Sequence, residues 1–440
     1  MSSFILIDTP GLPGTVVDRV TSFSSNLLLR SWCVLTTVLL GSTLLAGPQC
    51  ATYQALHPKS DFPSDINLLT ATIQDLQAYL TNGSITSVQL TKEYLVRIEA
   101  NNYAGLELRA VLETAPYDHV VGIAQYYDDL RANGTVLSEL HGIPLLIKDN
   151  IATDVELGMN TTAGSYALLK SIVPRDATVT AKLRAKGAIV LGKAAMTEFA
   201  NFKGLDLKNG YSARGGQCQS AYVIGGFDAG GDPSGSSSGS AVALSAGFAA
   251  GTLGSETDGS IIDPAGRAAA YGIKPSIGLV SRSGVIPISS SQDTVGPIVR
   301  STYDAALLLG HLAGYDAADP ATHNVAEHVH EDYTQFTKLP YATFAGKKLG
   351  VPRYMIFDSK YWDDDPAKAQ KVQEAFDIAI SKIESLGAKV QDPAEIPSME
   401  EWMSSKAEWT VMTTEFKEDI AKYLKEMTSS DVHTLEDIIK

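Results

Sequence analysis

Residues 230–261 constrain this chain more than any other stretch. They read GGDPSGSSSGS, then AVALSAGFAAG, then TLGSETDGSI. This is the core of the densest glycine and serine region in the sequence, and three kinds of chemistry can use it. A phosphate-cradling loop would place glycine and serine amides before a helix, where an anion is favoured. The P-loop version ends in Gly-Lys-Ser/Thr, and no lysine lies between Lys208 and Lys274. A nucleophile elbow is a formal match, because residues 235–239 fit G-x-S-x-G. That motif should follow directly on a strand, yet residues 227–233 are polar and glycine-rich. It also needs a later histidine as base. His311, His323, His328, His330 and His433 stand in polar or helical surroundings with no pairing motif.

The third reading uses Ser236, Ser260 and a lysine upstream. A serine hydroxyl is a poor nucleophile until a base takes its proton. Lysine serves as that base only when neutral, and burial favours the neutral amine because desolvation penalises the ammonium. Lys148 follows the apolar run Gly-Ile-Pro-Leu-Leu-Ile. The turn at Thr257-Asp-Gly-Ser260 can aim several backbone N–H groups at a developing oxyanion. Taken singly, each piece has a plainer explanation: a solvated strand end, a linker, a turn. Their conjunction in this order favours acyl transfer.

The surrounding pattern is α/β. Thr72 opens a helix with Asp75 in its first turn, and Thr86-x-x-Gln89 forms a capping box for a second helix with Val88, Leu90, Leu95 and Ile98 on its apolar face. Residues 143–147 read as a buried strand ending at Lys148. Asp176 is the expected cap of a further helix that Gly187 stops, with a strand at 188–191. Residues 365–386 form an amphipathic helix, ended by Gly387 and followed by a strand at 388–390. Strand and helix alternation implies a sheet covered by helices.

Composition narrows the partners. The net charge is −15, which argues against nucleic acid or anionic lipid as the main partner. The three cysteines, Cys33, Cys50 and Cys218, form no metal-binding or disulfide pattern. Cys218 is a nucleophile candidate without a recognisable histidine partner. Residues 32–46 are an uncharged apolar run preceded by Arg30. Fifteen residues suit a signal-peptide core better than a bilayer span of about 20. The expectation is secretion, with an uncleaved membrane anchor or a cytoplasmic chain as alternatives. Sequons at Asn82, Asn133 and Asn160 are compatible with that route. The expected organisation is a leader over 1–52, a linker over 53–69 and one catalytic domain over 70–440. Thr434-x-x-Asp437 reads as a helix start only a few residues before Lys440, so the domain is expected to be truncated at its C-terminus.

With these residues in view, the chain resembles the amidase signature family. The matching stretches are LHGIPLLIKDN (140–150), TTAGS (161–165), GSSSGSA (235–241), GSETDGSI (254–261), GIKPSIGLVSR (272–282) and QDTVGP (292–297). Within the family it looks closest to peptide amidases and related fungal and bacterial amidases. The resemblance implies one large α/β domain with a mixed sheet covered on both faces. It also implies a Ser-cisSer-Lys triad, with Lys148 as base, Ser236 after a cis peptide bond as relay, and Ser260 as nucleophile. Thr257, Asp258, Gly259 and Ser260 fall on the oxyanion-hole amides. Gly235 and Ser237 support the loop, with Ser237 expected to hydrogen-bond within it. Ser238 departs from a commoner glycine. Ile262 departs from an arginine, which leaves Glu256 without an expected ion-pair partner. The implied substrate is a small-molecule or peptide amide, with no metal or organic cofactor. Two alternatives have other consequences: a catalytically silent amidase-like chain, and a protein resembling the amidase component of an aminoacyl-tRNA amidotransferase.

Overall fold

The computed structural model describes residues 6–8, 61–204, 206–325, 328–354 and 366–440. The apolar run at 32–46 and residues 53–60 of the expected linker lie outside the described residues. Among the described residues no helix is long and apolar enough to cross a membrane.

The chain enters the domain through two capped helices. In α1 (Ile73–Thr81) the Thr72 side chain accepts from Asp75 N while Asp75 accepts from Thr72 N. In α2 (Ser87–Asn101) Thr86 and Gln89 make the same reciprocal pair. Both boxes satisfy amides that a helix start leaves unpaired. Ile73, Leu76 and Leu80 of α1 and Leu90, Tyr94 and Ile98 of α2 are buried. Helix α3 (Tyr117–Ala132) fixes α2 from the side, because Asp128 accepts from Ser87 N at 2.7 Å and Val88 N at 3.0 Å.

Six strands form the central sheet: β1 (Val111–Thr114), β2 (Pro144–Lys148), β3 (Ile189–Ala194), β4 (Gly251–Glu256), β5 (Tyr271–Gly272) and β6 (Thr294–Val299). Their order is β1-β3-β2-β4-β6-β5. Strands β3, β2 and β4 run parallel, and β1, β6 and β5 pair antiparallel to their neighbours. Every residue of β2, β3, β4 and β6 is buried. Strands covered on both faces carry near-continuous apolar runs, as IPLLI and AIVL do. The domain is therefore a single α/β unit with a mixed sheet. Parallel strands tend to present their sites at their carboxyl ends. Here those ends carry Lys148 on β2 and Glu256 on β4.

Helix α4 (Thr178–Ala185) links β2 to β3, and its start corrects the expectation for Asp176. The N-cap is Ala177, with no side-chain cap bond. Asp176 instead accepts from Asp154 N at 2.6 Å and pairs with Arg184. A charged partner on the same helix and a distant amide outcompete the local cap. Helix α5 (Ser238–Ser245) lies before β4, and α6 (Ile262–Arg267) after it. Helix α7 (Thr302–Leu312) follows β6, and its Asp304 reaches Ile73 N of α1 at 3.0 Å.

A small second sheet holds Leu6–Asp8, Lys348–Gly350 and Lys389–Gln391, flanked by α8 (Pro366–Ser385). Gly387 ends the helix region in a left-handed conformation, φ +100°. After α9 (Met399–Ser404), α10 (Ala407–Lys425) buries Met412, Phe416, Ile420, Tyr423 and Leu424. Phe416, Ile420, Tyr423 and Leu424 join a cluster with Met196, Phe199, Ile286 and Ile288. Thr434 caps α11 (Leu435–Ile439) with Asp437, as its spacing predicts.

Candidate active site

Lys148 ends β2 and is fully buried. Its Nζ lies 2.8 Å from Ser236 Oγ, 2.9 Å from Ser255 O and 3.0 Å from Ser255 Oγ. Burial pushes its pKa down from 10.5 to about 7, against the opposing charges of Glu256 and Asp293. A substantial neutral fraction at neutral pH follows. Asn150, two residues on, donates to the same Ser255 hydroxyl at 2.9 Å. Ser255 and Asn150 thus hold the amine from behind. Neither stands out from the sequence, although both lie inside motif stretches.

Ser236 sits at a cis peptide bond, Gly235–Ser236. Glycine is required at 235 because a Cβ there would meet Thr197 Oγ1 at 2.4 Å. Thr197 N in turn donates to Ser236 O at 3.1 Å. The amide and hydroxyl of Ser237 do not bond within its own loop, contrary to expectation. Its N donates to Ser260 O at 3.1 Å and its Oγ to Ser255 O at 3.2 Å. It therefore ties the serine loop to the β4 turn and sets Ser236 beside Ser260. Ser238 starts α5 and donates to Ser234 O at 2.6 Å.

Ser260 is buried, with 5% exposure. Among the described residues no hydrogen bond joins the Ser236 and Ser260 hydroxyls. Catalytic hydrogen bonds are often loose before substrate arrives. The turn carrying Ser260 is held by Glu256. This buried carboxylate accepts from Gly259 N at 2.9 Å, Ile261 N at 2.8 Å and Ile262 N at 3.0 Å. The Gly259 amide is therefore committed to Glu256, which corrects that part of the expectation. The amides of Thr257, Asp258 and Ser260 form no hydrogen bond among the described residues. Glu256 also keeps an ion pair, with Lys274 Nζ at 3.8 Å. Lys274 comes from the GIKPS motif and replaces the partner expected at position 262. Thr257 Oγ1 donates to Asp293 Oδ1 at 2.5 Å, which brings the QDTVGP motif to the same turn.

The TTAGS motif packs behind Lys148. Asp149 Oδ2 accepts from Thr162 Oγ1 at 2.5 Å and Gly164 N at 2.8 Å. Lys193 Nζ reaches Thr161 Oγ1 at 3.1 Å. Cys218 is fully buried, and desolvation pushes its thiol pKa far up, which removes it as a nucleophile. No histidine is hydrogen-bonded to Ser236, Ser237 or Ser260 among the described residues.

A buried lysine hydrogen-bonded to Ser236, with Ser260 tied to the same loop through Ser237, is an arrangement that a serine hydrolase without a histidine base can use. Comparison with known proteins makes the class specific. The Amidase family model matches residues 89–440, and the chain belongs to that family. It is 38% identical over 420 residues to a putative amidase of Schizosaccharomyces pombe, covering 91% of this chain and 68% of the relative. It is 40% identical over 380 residues to a probable amidase of Arabidopsis thaliana, covering 86% and 68%. Among solved structures it matches the native peptide amidase from Stenotrophomonas maltophilia. That match has a TM-score of 0.73 at 40% identity, covering 84% of this chain and 70% of that one. The chain thus spans about two thirds of the length of these relatives. Family membership brings hydrolysis of amide C–N bonds through a serine acyl-enzyme.

Proposed function

We propose that Lys148, Ser236 and Ser260 form the proton relay and nucleophile of this amidase, with Thr257, Asp258 and Ser260 amides as its oxyanion hole. The contact set of Lys148 Nζ carries this reading. A neutral amine has two hydrogens and one lone pair. Ser255 O can only accept, and Ser255 Oγ, which accepts from Asn150, has a second lone pair for the other N–H. The lone pair is left facing Ser236 Oγ at 2.8 Å. Ser236 then donates to Lys148 and accepts from Ser260. Ser260 Oγ forms a bond to the amide carbonyl carbon, and the carbonyl oxygen takes the negative charge at the free amides. The proton returns through Ser236 to the leaving nitrogen, and the C–N bond breaks. Water then attacks the ester, with the same relay accepting its proton, and frees Ser260.

The substrate is a carboxamide. Similarity to the Stenotrophomonas peptide amidase supports peptide amides as the first class to assay. A fluorophosphonate probe should label Ser260, and Ser260→Ala should abolish labelling. Labelling that persists at an unchanged rate in that variant overturns the assignment.

A further inference from the structure

Helix α10 lies far along the chain from the reacting residues, yet its polar face grips the segment that leads to them. Glu408, Glu415 and Asp419 share one side of the helix, spaced by seven and four residues. All three carboxylates accept hydrogen bonds from residues 289–292. Glu415 Oε2 accepts from Ser289 Oγ, from Ser291 N at 3.1 Å and from Ser291 Oγ at 2.9 Å. Asp419 Oδ2 accepts from Ser290 N at 2.9 Å, and Glu408 Oε1 from Gln292 Nε2 at 2.7 Å. The next residue is Asp293, which is folded back on the same loop through Ile288 N at 2.7 Å and Ser289 N at 3.0 Å. Its remaining oxygen receives Thr257 Oγ1.

A continuous set of hydrogen bonds therefore runs from α10 through the serine loop and Asp293 to Thr257. Thr257 occupies a special place in it. Its side chain is fixed by Asp293, while its amide is one of the three left free at the nucleophile turn. On the other side the turn is fixed by Glu256, which holds Gly259, Ile261 and Ile262 but not Thr257. The two carboxylates divide the turn between them. Oxyanion stabilisation depends on donors held in place before charge develops, so a loosened Thr257 weakens it without altering the base.

Building on the proposed oxyanion hole, we infer that Asp293 and Glu415 are positioning residues for this hydrolysis. Glu415 fixes the serine loop, the loop presents Asp293, and Asp293 fixes the Thr257 amide. Neither residue touches the substrate. The hydrogen bonds from Ser289 and Ser291 hold the Glu415 carboxyl below its ordinary range, so the anion that grips the loop persists at mildly acidic pH. Lys422 is paired with Asp419 at 2.8 Å, and Arg282 also donates to Ser290 O, so the loop is gripped from both sides.

The test is a double-mutant cycle read by the second-order rate of fluorophosphonate labelling of Ser260. Thr257→Val removes the hydroxyl that Asp293 holds, and Glu415→Gln keeps the shape of the helix face but removes the charge. Each single variant is expected to slow labelling, Thr257→Val by about 10- to 100-fold and Glu415→Gln by about 3- to 10-fold. In the Thr257→Val background, Glu415→Gln should have little further effect, because both act through one contact set. Thr257→Ser, which keeps the hydroxyl, should restore most of the rate. Independent, multiplicative losses with intact Thr257→Ser activity would overturn the inference, and so would a wild-type rate in Glu415→Gln. Wild-type labelling that requires neither Ser260 nor Lys148 would instead reject the catalytic assignment itself, so the two failures are distinguishable.

Discussion

Replacing Lys148 by methionine tests the base assignment through stability rather than rate. In an unfolded chain this lysine titrates near 10.5, and in the fold near 7. Between these values the unfolded chain holds a proton that the folded chain has released, so stability at this site rises with pH. The penalty is fully present below pH 7 and vanishes as pH passes 10.5. It amounts to about 4 kcal/mol at pH 7 and about 1 kcal/mol at pH 10. Methionine fills similar space without titrating. Lys148→Met also strands Ser255 O, Ser255 Oγ and Ser236 Oγ, but that cost does not change with pH. The wild-type stability minus the variant stability should therefore rise by roughly 3 to 4 kcal/mol from pH 7 to pH 10. Urea unfolding followed by tryptophan fluorescence at several pH values measures it. A difference that stays flat across this window means that Lys148 keeps its proton in the fold, and a lysine that keeps its proton is no base.

Two further outcomes follow from the turn and the loop. Glu256→Gln replaces one carboxylate oxygen by an NH₂, which must face either the Gly259 N–H or the N–H groups of Ile261 and Ile262. It should cost about 3 kcal/mol in urea unfolding and slow probe labelling at least about tenfold. Gly239→Ala would place a Cβ 2.4 Å from both Ala110 O and Ala195 O, which are backbone atoms that cannot yield cheaply. A loss of about 3 kcal/mol in the same assay, or failure to accumulate soluble protein, is expected.

What can be read from the sequence is whatever a residue settles with its near neighbours. The helix starts at Thr72, Thr86 and Thr434 form as their spacing predicts, since both capping partners lie within one turn. The strand before Lys148 is legible because a five-residue apolar run is the length of a strand buried inside a covered sheet. The misreadings share a different cause. Asp176 has the right local position for a cap, but Arg184 and Asp154 N claim it. Gly259 stands where an oxyanion donor should be, but the carboxylate three residues earlier takes its amide. Glu256 looks unpartnered in sequence because its cation, Lys274, arrives from a later segment. Ser255, Asn150 and Asp293 escape notice for the same reason. A single serine, asparagine or aspartate has no periodicity, and its role is fixed only when another strand brings its partner. Strands β1, β4 and β6 are likewise hard to recognise, because they are short or interrupted by glycine and proline.

The separation of the reacting groups along the chain has a consequence for biosynthesis. Ser236 comes 88 positions after Lys148, and Ser260 follows 24 later. A ribosome therefore delivers the amine first and the proposed nucleophile last. The pairing of β2 with β4, which brings them together, cannot form until residue 253 has emerged. Up to that moment the growing polypeptide carries a lysine with an ordinary proton affinity and serines no more reactive than any others. The carboxylates of α10 are made later still. On the proposed assignment, the amine and the nucleophile can meet only after this sheet has closed.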